Sequence, residues 1–303
     1  MVYRIGADIG GTSVKLGVVD EAFHIVESMR IPTGEICTAD GIIGGIVEAC
    51  RELMVRYEIA SVGIGSAGLV NPKTGYVLRA GNLPFLNEPL GVRVAKGLQV
   101  PVFLDNDANC ALIGEHAAGA CAGYEDALIL TIGTGIGGAV MIGGRVYRGH
   151  NYKAAEFGHF IINMKGEACS CGLRGCFEQY GSASALIAMT KKCVRAFPGS
   201  LLARMAQNGI DGSTAFEAAK GGCAAAEEML KDYGKVLGVG INSLVKIFQP
   251  QVVVLSGGVA VQGEYLLNLI RPNLIDDSVV CTTKLGGGGG LIWAALLGTP
   301  YGE

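Results

Sequence analysis

One short stretch, Glu156 to Glu178 (EFGHFIINMKGEACSCGLRGCFE), holds three of the ten cysteines and one of the four histidines of the chain. Nine residues separate His159 from Cys169, one separates Cys169 from Cys171, and four separate Cys171 from Cys176, which supplies the ligands of a Cys3His zinc site. Glycines at 166, 172 and 175 let a short loop turn tightly enough for three thiolates to meet one ion. A Zn2+ held by four protein ligands has no open position for water, so its expected role is structural. Disulfides are the rival reading, but Cys-x-Cys does not readily bridge internally and nothing else points to an oxidising compartment. Glu156 precedes His159 by three residues and Glu178 follows Cys176 by two, so a metal clamping the loop also sets where both acids point. Ordinary surface glutamates are the plainer alternative.

Other chemistry collects where apolar runs meet glycine. Residues 3–9 and 14–19 are joined by Gly10-Gly11-Thr12-Ser13, which predicts a hairpin with Asp8 at the mouth of its turn. Backbone N–H groups there and the Thr12 hydroxyl suit a phosphate, and Asp8 suits a hydrated Mg2+, although Gly-Gly turns are often mere connections. The segment from Leu128 to Gly144 repeats the pattern and contains Gly133-x-Gly135-x-x-Gly138. That formally matches a dinucleotide fingerprint, but Ala139 to Tyr147 reads as a strand where the fingerprint needs a helix. The repetition predicts two related halves, each with a glycine hairpin able to clasp phosphates.

Two further strands end in candidate residues. Val100 to Leu104 runs into Asp105-Asn106-Asp107-Ala108-Asn109 ahead of a helical pattern. Ligands gather at the carboxyl ends of strands in α/β folds, which places Asp107 as a catalytic carboxylate or, equally on position, as a helix N-cap. Gln251 to Leu255 ends in Ser256-Gly257-Gly258, where small residues would admit a flat adenine ring. The loop containing Gly68, and Asn82-Leu83-Pro84-Phe85, could line a polar pocket, though turns use the same residues. Helical periodicity marks 39–57, 182–197, 213–220, 224–248 and a C-terminal segment around Trp293.

The chain as a whole bounds these readings. Its 303 residues are 50% apolar and 17% charged, which suits a folded two-domain protein and not a disordered one. A net charge of −3 gives no electrostatic case for nucleic acid or an anionic membrane. An uncharged run at 127–144 has 18 residues but six glycines, each costing about 1 kcal/mol in a helix. No signal peptide precedes the first strand, so a cytoplasmic location is expected, with Cys37, Cys50, Cys110, Cys121, Cys193, Cys223 and Cys281 as inert thiols.

Asp8-Ile-Gly-Gly-Thr12, Asn106-Asp107, Glu156-Phe-Gly-His159, Cys169-x-Cys171-Gly-x-x-Gly-Cys176-x-Glu178 and Leu255-Ser-Gly-Gly258, in this order along the whole chain, resemble the ROK family of sugar kinases and repressors. The resemblance implies an actin-like (ribonuclease H-like) two-domain α/β fold, with ATP and sugar meeting in an interdomain cleft. The domains expected are 1–115 plus 291–303, small, and 116–290, large and carrying the zinc loop. By the same resemblance Asp107 is the general base, and Asn106, Glu156, His159 and Glu178 hold sugar hydroxyls, with Gly68 and Asn82 on the sugar side. Asp8, Gly10, Gly11, Thr12, Gly133, Thr134, Gly135, Gly257 and Gly258 serve the nucleotide, with Mg2+. The implied reaction is phosphorylation of a hexose 6-hydroxyl, with glucose first and N-acetylmannosamine or another N-acetylhexosamine, fructose or allose as alternatives, in a homodimer. Ala67 stands where the family usually has proline, and Gly286 to Gly290 replace a usually polar turn, so sugar choice and adenine contacts do not carry over. A sugar-sensing regulator is the rival; it would need a DNA-binding helix-turn-helix, and only two residues precede Tyr3.

Overall fold

Apolar runs buried on both faces become central strands, and alternating ones become edges. β1 (Tyr3–Ile9) pairs antiparallel with β2 (Ser13–Val19). β3 (Ile25–Pro32) alternates half-buried with exposed residues and flanks β2. β4 (Ile59–Ser66) runs parallel to β1. A small sheet of β5 (Leu69–Asn71), β6 (Tyr76–Arg79) and β7 (Leu86–Glu88) follows. β8 (Val102–Asn106) then runs parallel to β4, completing the order β3-β2-β1-β4-β8. The computed structural model describes residues 2–11, 13–32, 38–275, 279–286, 289–299 and 302.

The second five-stranded sheet is built from β9 (Ala127–Ile132), β10 (Ile136–Ile142), β11 (Arg145–Val146), β12 (Val252–Ser256) and β13 (Val280–Thr282), in the order β11-β10-β9-β12-β13. Each sheet thus has a hairpin arm, then its first strand, then two parallel neighbours, which is the repetition predicted from the two strand-glycine-strand segments. β10 begins at Ile136 and takes in Gly138, so the dinucleotide pattern at 133–138 lacks its helix, as expected.

Five helices fall where the periodicity placed them, at 39–56, 183–196, 214–220, 224–248 and 289–295, while those at 90–98, 178–181, 201–205 and 264–270 lie outside the ranges it marks. α1 (Ala39–Arg56) buries Ile42, Ile43, Ile46, Cys50 and Leu53, and Thr38 Oγ1 caps it by accepting the Gly41 N–H at 3.1 Å. α2 (Leu90–Leu98) and α3 (Asp107–Ala118) complete the N-terminal series. Then come α4 (Glu178–Gly181), α5 (Ala183–Ala196), α6 (Leu201–Met205), α7 (Thr214–Lys220), α8 (Ala224–Phe248), α9 (Glu264–Ile270) and α10 (Gly289–Ala295). In α8 three glycines sit against neighbours: Gly234 on the Leu269 backbone, Gly238 on Asn273 and Gly240 on the Phe177 ring. Among the described residues no helix is long and apolar enough to cross a membrane.

The chain divides into two compact units, 1–125 with 139–154 and 284–303, and 126–138 with 155–283. Sequence placed the divisions at 115/116 and 290/291. Side-chain ties explain why 139–154 and 284–290 go with the first unit: Arg148 pairs with Asp105, and the buried Glu115 carboxylate accepts the N–H groups of Ala120, Lys284 and Leu285.

α10 lies so close on the first sheet that a Cβ at Gly6 or Gly63 would run into the carbonyls of Leu291 and Ala294. Gly63→Ala should therefore cost about 1–3 kcal/mol or more in a denaturant titration. Gly44→Ala, in α1 with nothing within 4 Å of the new methyl, should add about 0.5–1 kcal/mol. Equal effects at the two sites would contradict the packing described.

Candidate functional site

In the first unit the candidates cluster at the carboxyl ends of β1, β4 and β8. Register aligns Asp8 with Gly65, and Gly65 with Asp105, so two acids stand at one level on either side of a strand that has no side chain there. Asn106, not Asp107, caps α3: its Oδ1 accepts the N–H groups of Ala108 at 2.9 Å and Asn109 at 3.3 Å. Asp107 is thereby the first helical residue, and its side chain reaches solvent. The N-cap alternative thus falls to its neighbour. Crowding by protein atoms raises the Asp107 carboxyl above its ordinary value, the Ala108 N–H pulls it back, and the negative charge of Asp8 raises it further. Asp8 is likewise raised by burial, with Lys15 opposing.

Asn106 also donates from Nδ2 to the Gly68 carbonyl at 3.0 Å, which ties the β4–β5 loop to the start of α3. Gly68 itself has φ +102, and a Cβ there would strike the Arg79 carbonyl, so only glycine fits. Gly10 donates to Ser13 O at 3.0 Å and closes the predicted turn. Gly11 is exposed, and a Cβ on it would lie 3.9 Å from Asn82 Cβ, which brings Asn82 beside the hairpin. Thr12 lies outside the described residues, as do Cys37 and two of the five glycines at 286–290.

In the second unit the metal loop is assembled. His159 ends a single 3-10 turn, Phe157–His159, and its Nδ1 is 3.6 Å from Cys169 Sγ; Cys171 and Cys176 sulfurs are 3.5 Å apart. The ligand atoms of His159, Cys169, Cys171 and Cys176 all lie within 4.8 Å of one another. Metal bonds of about 2.3 Å to sulfur and 2.0–2.1 Å to nitrogen, arranged tetrahedrally, separate neighbouring donors by about 3.4–3.8 Å, so this donor set fits one ion. The glycines do what the loop requires. Gly172 and Gly175 have φ of +93 and +76, and a Cβ on Gly166 or Gly175 would strike Tyr180 or Asn163. Burial raises the Cys169 thiol, but hydrogen bonds from the Cys171 backbone and from the other ligands bring it down to about 7. Cys176 is pushed up to about 12 by burial and by its thiol neighbours.

Glu178 joins this loop to the glycine hairpin. Its Oε2 accepts the Ile136 N–H at 3.2 Å, while Oε1 lies 3.7 Å from Cys169 Sγ and 3.9 Å from His159 Nδ1. Gly135 packs directly on the Glu178 carboxylate and Gly158 on the Ile136 carbonyl, so neither position has room for a side chain. At the turn, Gly133 donates to Gly135 O at 3.0 Å, and Thr134 is exposed. Gly257, with φ +89, lies against the Ile132 backbone, and Gly258 is exposed with open space beside it. The Glu156 side chain faces solvent. Sequence reasoning missed Asp105, Glu115 and Arg148; their one signal is the cost of burying a charge, and burial shows only after folding.

A family model described as "ROK family" matches residues 4–284. A glucokinase of Streptomyces coelicolor is 35% identical over 309 residues, covering 97% of each chain. A xylose repressor of Caldicellulosiruptor bescii is 32% identical over 214 residues, 70% of this chain and 54% of the repressor. The crystal structure of a ROK family glucokinase from Streptomyces griseus, in complex with glucose and AMPPNP, superposes with a TM-score of 0.85 at 36% identity, covering 97% of this chain and 98% of that one. The actin-like α/β architecture expected from sequence is the fold of these kinases.

A carboxyl held above its ordinary value binds its proton more tightly folded than unfolded. It therefore favours folding at acid pH and loses that contribution as pH rises through the raised pKa. Asp107→Asn, without added divalent cation, should unfold at a higher temperature than the parent at pH 7 and show no such gain near pH 3. A gain of equal size at both pH values would assign the effect to packing instead.

Proposed function

The chain belongs to the ROK family, and on that premise we propose that it is an ATP-dependent hexose kinase that phosphorylates the 6-hydroxyl of a hexose, with glucose as the first substrate to test. The observation that carries this reading is Asp107: the first residue of α3, beside its cap Asn106, open to solvent and with its carboxyl held above the ordinary value. Phosphoryl transfer to a hydroxyl asks for a proton acceptor, for positioning and for neutralised phosphates, with little covalent work by the protein.

In this reading Asp107 accepts the hydroxyl proton as the bond to phosphorus forms. Glu156, Glu178 and His159 hold sugar hydroxyls, with Asn106, Gly68 and Asn82 shaping that side. A carboxylate that fails to meet a matching hydroxyl stays unpaired, which is how epimers are told apart. The turns at 10–12, 133–135 and 257–258 receive ATP, where bare backbone N–H groups and missing side chains let phosphate and base approach. Mg2+ would offset the charge of the phosphates, and Asp8 would hold it through water. Zn2+ would be held by His159, Cys169, Cys171 and Cys176 and, with four protein ligands, would serve to fix the loop. The family resemblance also supports a cytoplasmic homodimer.

Mg-ATP consumption against glucose, N-acetylmannosamine, N-acetylglucosamine, fructose and allose tests the reading. One sugar should turn over, and Asp107→Asn should still bind it while losing about 10²–10⁴-fold in kcat. A sugar that binds without any ATP consumption would make the protein a sugar sensor, in the manner of the family's repressors.

Removal of the metal offers a second test. Purified protein should carry zinc, Cys171→Ala should lose it, and sugar affinity should then fall more than nucleotide affinity, because His159 is both ligand and sugar contact. Equal loss of both would make the metal a support for the entire fold.

A further inference from the structure

We propose that Arg148 is a positioning residue for the proton-accepting carboxylate, acting through Asp105. The proposal rests on the reading of Asp107 as the base. Arg148 does not belong to the glycine turns or to the metal loop, and it follows β11 in a segment otherwise without a role. Its Nε donates to Asp105 Oδ2 at 2.8 Å, and the pair is well covered, with side chains 18% and 2% exposed. Burying two charges is costly, and such a pair adds little stability over apolar packing, so its geometry calls for another account.

The geometry supplies one. Asp105 Oδ1 accepts the Asn106 N–H at 2.7 Å and the Asn109 side-chain amide at 2.9 Å, one residue before and two residues after Asp107. Asn106 in turn caps α3 and holds Gly68. The backbone carrying Asp107 is therefore fixed by Asp105, and Asp105 is fixed by Arg148. The guanidinium is itself anchored at two more points, donating to Val146 O at 3.3 Å and to Gly302 O at 3.2 Å. A planar fork of donors suits three fixed acceptors, and an ammonium does not.

Charge gives a second, independent reason. The buried Cys110 thiol is pushed well above its ordinary value by burial and then by Asp105, Asp107 and Asp8, with Arg148 opposing. Three carboxylates thus surround one buried point, and Arg148 neutralises the most deeply covered of them. Without Arg148, Asp105 would be an uncompensated anion beside two others and would turn away, releasing Asn106 and Asn109. A base must sit about 2.6–3.2 Å from the proton it takes, and a displacement of about 1 Å can cost 10²-fold.

The test compares Arg148→Met, Arg148→Lys, Asp107→Asn and the double variant Asp107→Asn/Arg148→Met, using kcat, sugar and nucleotide Kd by calorimetry, and circular dichroism. Arg148→Met should be folded, bind nucleotide like the parent, bind sugar at most a few-fold more weakly through the loosened Asn106, and lose about 10- to 100-fold in kcat. Arg148→Lys should recover part of that loss, because it restores the charge but not the fork. Added to Asp107→Asn, the change should cost nothing further, since the two residues act as one unit. A folded Arg148→Met with parental kcat, or with its loss confined to ligand affinity, overturns the proposal. If Arg148→Met does not fold, parental kcat in Arg148→Lys overturns it equally. Should Asp107→Asn itself turn over normally, the base assignment falls and this inference falls with it, whereas an active-site loss in Asp107→Asn beside a parental Arg148→Met removes the inference alone.

Discussion

Repulsion among three carboxylates at the ends of β1 and β8 is the constraint around which the first unit is arranged. Asp8 and Asp105 are separated by one strand, about 10 Å in the sheet, and Asp107 begins the helix that leaves β8. Like charges so gathered must be neutralised, hydrogen-bonded or protonated. Asp105 takes the first two solutions, through Arg148, Asn106 and Asn109. Asp8 and Asp107 are left with raised pKa values, set first by burial and, at Asp107, also by the negative charge of Asp8.

The second unit solves a different problem. From Phe160 to Cys176 the chain has almost no regular structure, only isolated bridges such as Ile161–Cys176, and Met164 and Leu173 are exposed. Burial alone does not account for the order of such a loop. Four convergent ligand atoms would add to the loop's own backbone hydrogen bonds, because each bond to an ion would remove further chain freedom. Glu178 carries that order onward, with one oxygen toward Cys169 and His159 and the other on the Ile136 N–H. The loop is in this way joined to a turn 42 residues before Glu178, through about one hydrogen bond's worth of direct coupling.

Glycine has two separable duties in both units. At Gly68, Gly172, Gly175 and Gly257 it supplies a left-handed φ. At Gly6, Gly63, Gly135 and Gly158 the backbone is ordinary, and what matters is that another backbone or a carboxylate occupies the place of the Cβ. The first duty follows from local turn chemistry; the second exists only because distant segments are pressed together.

What the sequence determined by itself were the features with local causes. Period-2 and period-3.6 apolar patterns marked the strands and helices, since side-chain direction along a strand or helix is a local property. The spacing of His159, Cys169, Cys171 and Cys176 marked the metal ligands, since the donor set is read directly from residue type. The repeated strand-glycine-strand segments marked the shared strand order of the two sheets. Tertiary structure alone decided the rest. It made Asn106 the cap and Asp107 the first helical residue, it placed Arg148 on Asp105 across 43 residues, and it brought Glu178 to the Ile136 N–H across 42. It also gathered the 139–154 segment and the C-terminal residues into the first unit. These outcomes depend on which buried charge finds which partner, and a buried charge has no partner until the chain has closed around it.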